Sequence, residues 1–157
     1  MTANTVNVEL REITADTVIE VTRLSVAEGQ KGFVAPNAVS LAQALFHAEA
    51  WYRAIYADDE LAGFVMLADE SQRVPPPDPP AMGLWRLMVD HRYQRRGIGR
   101  QAMLLVIEHA RGKRVFSTLE TSYVPGPGCP QPFYRSLGFR DTGRMDGDEV
   151  VLELPLR

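Results

Sequence analysis

The sequence predicts an α/β (α+β) domain, a mixed central sheet of about seven strands with about four helices on its two faces. Three observations predict it. Runs of strand length and segments of helical period follow one another as strand, two helices, three strands, helix, strand, helix, two strands. Two pairs of strands are joined by short acidic turns, Asp58-Asp59-Glu60 and Asp146-Gly147-Asp148, the chemistry that closes antiparallel hairpins. A further strand runs through a basic turn with two glycines directly into an amphipathic helix.

Val6-Asn7-Val8-Glu9-Leu10-Arg11 alternates apolar and polar and reads as the first strand. Thr14 is placed to cap a helix over residues 16–24, with Val18, Val21 and Leu24 or Ile19 turned inward. A loop containing Gly and Pro follows at residues 28–37. Ser40-Leu41-Ala42-Gln43 has the spacing of a capping box, so a second helix is predicted from Ser40 to residue 48. Residues 51–57 and 61–68 are the strands of the first hairpin.

Residues 71–80 hold five of the eleven prolines, which neither a ladder nor a helix accommodates, and form an extended surface loop. A domain boundary there would leave two halves too small for separate cores. Residues 83–89 are the next strand. The helix after the glycine turn covers 98–110, with Met103, Leu104, Val106 and Ile107 suited to packing on a sheet. A strand at 115–124 leads into a Gly/Pro cluster at 125–130 and a short helix at 131–137, which Gly138 ends as a left-handed cap. Residues 139–144 and 149–154 close the chain as a hairpin.

At 157 residues the chain is read as one domain, residues 1–157, able to bury roughly 70% of the surface its unfolded form exposes. A net charge of −3 argues against a nucleic-acid partner, which calls for a broad basic face. The single Cys129 excludes an intrachain disulfide, and His47, His91 and His109 show no ligand pairing, so no metal is expected. No run approaches a membrane span and the N-terminus lacks the pattern of a signal peptide, so the expected location is the cytoplasm, away from membranes. Exposed strand edges leave room for a homodimer.

The most informative stretch is Leu87-Met88-Val89-Asp90-His91-Arg92-Tyr93-Gln94-Arg95-Arg96-Gly97-Ile98-Gly99-Arg100. A helix that starts at such a turn leaves its first N–H groups without intrahelical partners, and the macrodipole adds partial positive charge there. The product is an anion site suited to a phosphate or diphosphate. Arg92, Arg95, Arg96 and Arg100 give the same sign. The turn lacks the third glycine of a dinucleotide fingerprint and the Gly-Lys-Ser/Thr of a P-loop.

Gln94 to Gly99 resembles the Gln/Arg-x-x-Gly-x-Gly/Ala signature of the GNAT superfamily of acyl-CoA-dependent N-acyltransferases, and Leu87-Met88-Val89 is similar to the Leu-x-Val of the strand before it. The element order resembles that family over essentially the whole chain. The resemblance implies a mixed, mostly antiparallel sheet and acetyl-CoA as co-substrate, held by Leu87, Met88, Val89, Gln94, Arg95, Arg96, Gly97, Ile98, Gly99 and Arg100. Phe133-Tyr134-Arg135-Ser136-Leu137-Gly138-Phe139 resembles the family's late Tyr-x-x-Leu-Gly-Phe segment, which makes Tyr134 the expected general acid for the departing thiolate. The Asn that many relatives carry seven residues earlier is Pro127 here. Cys129 has no assured activating histidine, and direct transfer without an acyl-enzyme is expected.

The attacking amine must lose a proton, and Glu120, Glu28 and Asp69 are the candidate bases, with Glu120 placed on the strand expected beside Val89. Three segments, Gln30-Lys31-Gly32-Phe33-Val34-Ala35-Pro36-Asn37, then Ala54-Ile55-Tyr56 with Gly63-Phe64-Val65-Met66, and Arg86-Leu87-Met88-Val89, resemble the bacterial spermine/spermidine N-acetyltransferase branch. The resemblance implies a small polyamine-like acceptor contacted by Phe33, Asn37 and Glu28. A protein N-terminus, an aminoglycoside, or no acceptor at all in a non-catalytic acetyl-CoA-binding module are the alternatives.

Overall fold

Among the described residues seven strands pair in the order β1-β2-β3-β4-β5-β7-β6. A computed structural model describes residues 6–157. The strands are β1 (Val8–Arg11), β2 (Ala50–Ala57), β3 (Glu60–Asp69), β4 (Met82–Val89), β5 (Thr118–Tyr123), β6 (Arg140–Asp146) and β7 (Glu149–Pro155). The helices are α1 (Val18–Arg23), α2 (Asn37–Ala44), α3 (Ile98–Lys113) and α4 (Gln131–Ser136). All pairings are antiparallel except β4 with β5. The mixed, mostly antiparallel sheet of the sequence reading is therefore the observed fold.

Two apolar layers cover the sheet. On one face α3 lays down Ala102, Met103, Val106, Ile107 and Ala110, a stripe of helical period, against Val65, Leu67, Leu119 and Leu152. On the other, Val21 of α1 meets Phe64, Met66 and Met88. The central strand β3 is thus buried on both sides, which explains its continuous apolar run from Ala62 to Leu67. The β2–β3 turn has two residues, Asp58 and Asp59, with φ of +48° and +66°. Two successive positive φ values make the tight turn whose twist suits a hairpin, and Asp tolerates that region better than most residues.

Two features of the sheet position the site. The β4–β5 ladder consists of Met82 opposite Leu119 and Gly83 opposite Glu120, and beyond these pairs the two strands part. The second is a bulge: Leu67 faces Leu84 and Met66 faces Arg86, so Trp85 is an extra residue in β4. The bulge reverses the side-chain alternation. Leu84 and Leu87 both belong to the α3 side, while Trp85 and Met88 pack under α1 and α2.

Helix α2 begins three residues before the predicted capping box. Pro36 stands at the cap, and the buried Asn37 donates its amide to the Val21 carbonyl at 2.9 Å and toward Met88 Sδ at 3.6 Å. Those anchors to α1 and β4 outweigh the local signal. Ser40 consequently lies inside the helix, fully buried, with its hydroxyl unpartnered. Gln43 accepts from Arg86 rather than closing a box. Helix α1 likewise starts at Val18, because Thr14 supplies its carbonyl to the Val18 and Thr17 amides and ends a turn there.

Candidate active site

The chain leaves β4 through a tightly braced turn. Asp90 is buried, and its carboxylate accepts from the Ser25 amide (2.9 Å), the Arg92 amide (3.0 Å) and Arg92 Nε (2.8 Å). Burial works to raise the Asp90 carboxyl, but these hydrogen bonds hold it below its ordinary value. Gln94 Nε2 donates to the Val89 carbonyl (2.9 Å) and to Gln30 Oε1 (2.7 Å), tying the loop between α1 and α2 to the end of β4. Arg95 and Gly97 then take positive φ, +65° and +76°, and α3 starts. The Gln101 amide bonds the Gly97 carbonyl at 3.1 Å, so the amides of residues 98–100 precede the first intrahelical bond and face outward from the helix end.

Those amides open on a cavity of about 460 Å³. Leu87, Met88, Val89, Gln94, Arg95, Gly97, Ile98, Gly99 and Arg100 all line it, as do Phe33 and Tyr134. Arg96 does not; its guanidinium lies over the Tyr93 ring, 5.6 Å from the centroid. Arg92, counted among the four cations of the turn, is held by Asp90. Two arginines, not four, therefore face the cavity. Val26, Val34 and Phe133 give it an apolar side. Free amides, two guanidinium groups and an apolar trough fit a diphosphate followed by a flexible arm, the two chemically distinct halves of CoA.

A second cavity, about 590 Å³, opens where β4 and β5 part, and shares Phe33, Val34, Leu87, Pro130 and Tyr134 with the first. Arg86 and Lys31 line it together with Asp146, Asp148 and Glu149 of the β6–β7 hairpin. Tyr134 thus borders both spaces. Burial pushes its phenol above the ordinary value, with the Thr121 hydroxyl acting in the opposite sense, so the group is a neutral proton donor at physiological pH. Arg86 is partly desolvated, which lowers its pKa, while the charge of Glu149 acts the other way.

The structure does not bring the predicted bases here. Glu120 pairs beside Gly83 at the far end of β4, not beside Val89, and its carboxylate holds Arg144 at 2.6 Å. Glu28 is exposed and ion-paired to Lys31 at 2.7 Å, which lowers its pKa. Asp69 is buried as the cap of the turn after β3, accepting from the Ser71 amide at 3.0 Å. Asn37, predicted to meet the acceptor, is committed to Val21 and Met88. Of the acceptor residues only Phe33 reaches the cavities. The acidic hairpin was missed because nothing in the local sequence says that β7 inserts between β5 and β6. Gln30 had a signal, its place in the loop between the first two helices.

Residues 18–139 match the model of the Acetyltransferase (GNAT) family. No curated protein matches the chain. Among solved structures it is similar to a Bacillus subtilis acetyltransferase in complex with CoA (20% identity, 97% of this chain and 99% of that one, TM-score 0.67). It is also similar to the PaiA N-acetyltransferase of Thermoplasma acidophilum in complex with coenzyme A (17%, 95% and 99%, TM-score 0.67). A third similar structure is the ribosomal-protein-S18-alanine N-acetyltransferase of Escherichia coli (16%, 96% and 94%, TM-score 0.67). At these identities the likeness is one of fold.

Proposed function

The chain belongs to the acetyltransferase (GNAT) family, and from that premise we propose that it transfers an acetyl group from acetyl-CoA directly to a small primary amine bound in the second cavity. What carries this reading is the shared wall. A cavity suited to a diphosphate and its arm meets a polar cavity at Tyr134, so a thioester in one and an amine in the other would border the same residue.

The co-substrate supplies an activated acetyl group whose carbonyl carbon the neutral amine attacks. The amides of residues 98–100 with Arg95 and Arg100 hold the diphosphate, and the edge of β4 at residues 87–89, paired with β3 but parted from β5, receives the arm as an added strand would be received. A backbone amide of that same stretch faces the carbonyl oxygen as negative charge grows on it. The amine nitrogen forms the new C–N bond as the C–S bond breaks. The electron pair leaves with sulfur, and the Tyr134 hydroxyl donates its proton there. Water reached through the open second cavity takes the proton released by the amine and returns one to the Tyr134 phenolate, so the enzyme ends as it began.

Three carboxylates in the acceptor wall, Asp146, Asp148 and Glu149, favour a cationic molecule, of which a polyamine is the extreme case. That observation supports the polyamine-like acceptor implied by the resemblance. Lys31 and Arg86 in the same wall oppose a chain that is cationic at every nitrogen. We read residues 1–157 as a single acetyltransferase domain. Incubation with acetyl-CoA and a panel of spermidine, lysine, aminoglycosides and short peptides, followed by free-thiol release, tests the proposal. Turnover with a small amine is expected. Turnover with peptides alone would move the acceptor to a protein N-terminus, and tight CoA binding without any turnover would leave a binding module.

A further inference from the structure

We propose that Arg86 selects an acceptor that carries a carboxylate in addition to its amine. The inference rests on the acetyl-transfer reading of the second cavity and narrows its substrate class.

The bulge at Trp85 brings Arg86 to the α1–α2 side of the sheet, where Nη2 donates to Gln43 Oε1 at 3.2 Å and Nη1 to the Trp85 carbonyl at 3.1 Å. Both acceptors are neutral. Nε is buried without a partner, and among the described residues no carboxylate lies within the 4.0 Å of an ion pair. A partly desolvated guanidinium with neutral partners and an idle donor is costly, because burying charge is offset only by a counter-charge and full hydrogen bonding. Other arginines of this chain show the contrast. Arg92 and Arg144 are more than half exposed, at 61% and 57%, yet each holds a carboxylate at 2.8 and 2.6 Å. Arg86 is more desolvated than these two yet holds no carboxylate at contact distance, Glu149 acting on it only from farther off, and it lines a cavity open to ligand.

A carboxylate satisfies that requirement through paired N–H donors of the guanidinium. A phosphate dianion suits the cavity less, because Asp146, Asp148 and Glu149 share the wall and repel a second negative charge. The same three groups attract an ammonium. Opposite charges facing one space match a molecule with an acid at one position and an amine at another.

Matched pairs that differ only by the carboxylate test this: lysine against cadaverine, ornithine against putrescine, β-alanine against ethylamine. Each is titrated calorimetrically into the CoA-loaded protein. The carboxylated member is expected to bind about 10- to 100-fold more tightly, the range for a charge-assisted contact. Arg86→Gln should erase the difference within each pair. Gln43→Glu should erase it too, by giving Arg86 a partner inside the protein; a purely structural role for Arg86 would leave the preference intact in that variant. Equal binding within every pair, binding of no pair, or loss of both members alike in Arg86→Gln overturns the inference. Thiol release on the same pairs separates the two readings. Turnover without carboxylate preference defeats the role of Arg86 alone, whereas carboxylate-selective binding with no turnover upholds Arg86 and defeats the transferase reading.

Discussion

Asp90 shows how much of the turn depends on one side chain. It receives three hydrogen bonds from two residues and is almost inaccessible. Its folded pKa lies below the unfolded value of about 3.9, so its stabilisation is complete above about pH 4 and is lost as pH falls through the lower folded value. Asp90→Asn should cost about 1.5–3 kcal/mol at pH 7. Thermal unfolding at pH 7 and pH 3.5 checks it, the gap between variant and parent narrowing in acid. Tyr134→Phe removes the proposed proton donor while keeping the ring against Phe133 and Phe139. The maximal rate should fall about 10²- to 10⁴-fold with CoA affinity nearly unchanged, as steady-state kinetics and titration would read. Because burial raises that phenol, no alkaline loss of activity from it is expected until above about pH 10. Residues bound to a local pattern, such as Gly97 and Tyr134, could be picked from the sequence. Glu28 and Asn37 could not be judged that way, since an ion pair to Lys31 and a bond to Val21 depend on side-chain direction that spacing does not encode.

At the scale of elements, the end of β4 is the sensitive part. Gly63 of β3 pairs with Val89, and a Cβ there would collide with the Met88 carbonyl oxygen, an impossible approach to backbone. Gly63→Ala should therefore destabilise by about 1–3 kcal/mol and also weaken CoA binding, because the strand that moves is the one that carries residues 87–89. Melting temperature and CoA titration on the same variant give both numbers. Gly97→Val acts differently. Nothing crowds a Cβ at that position, but φ of +76° penalises a β-branched residue, so the turn itself must change and CoA affinity should drop sharply. The elements themselves were legible because apolar period and turn chemistry agree with the final packing. The bulge at Trp85 was not, since Gly83 to Val89 reads as an unbroken strand and only pairing with β3 reveals the extra residue.

For the whole molecule, topology makes the chemistry. A parallel pair that separates after two residue pairs leaves a cleft between β4 and β5, and the insertion of β7 carries three carboxylates to its rim. Neither consequence can be read from composition or local sequence, which is why the sequence puts the strand of Glu120 beside Val89 while Glu120 itself pairs with Gly83 at the opposite end of β4. The signature at Gln94–Gly99, read together with the order of elements, nevertheless points to the family that the chain belongs to. We propose above all that the turn at residues 94–100 grips the diphosphate of the acyl carrier, and a calorimetric comparison of CoA with pantetheine, which lacks the phosphates and the nucleoside they carry, tests it most directly. CoA should bind tightly, more weakly as salt rises, and at least about 100-fold more tightly than pantetheine. Equal affinity for the two compounds would contradict it.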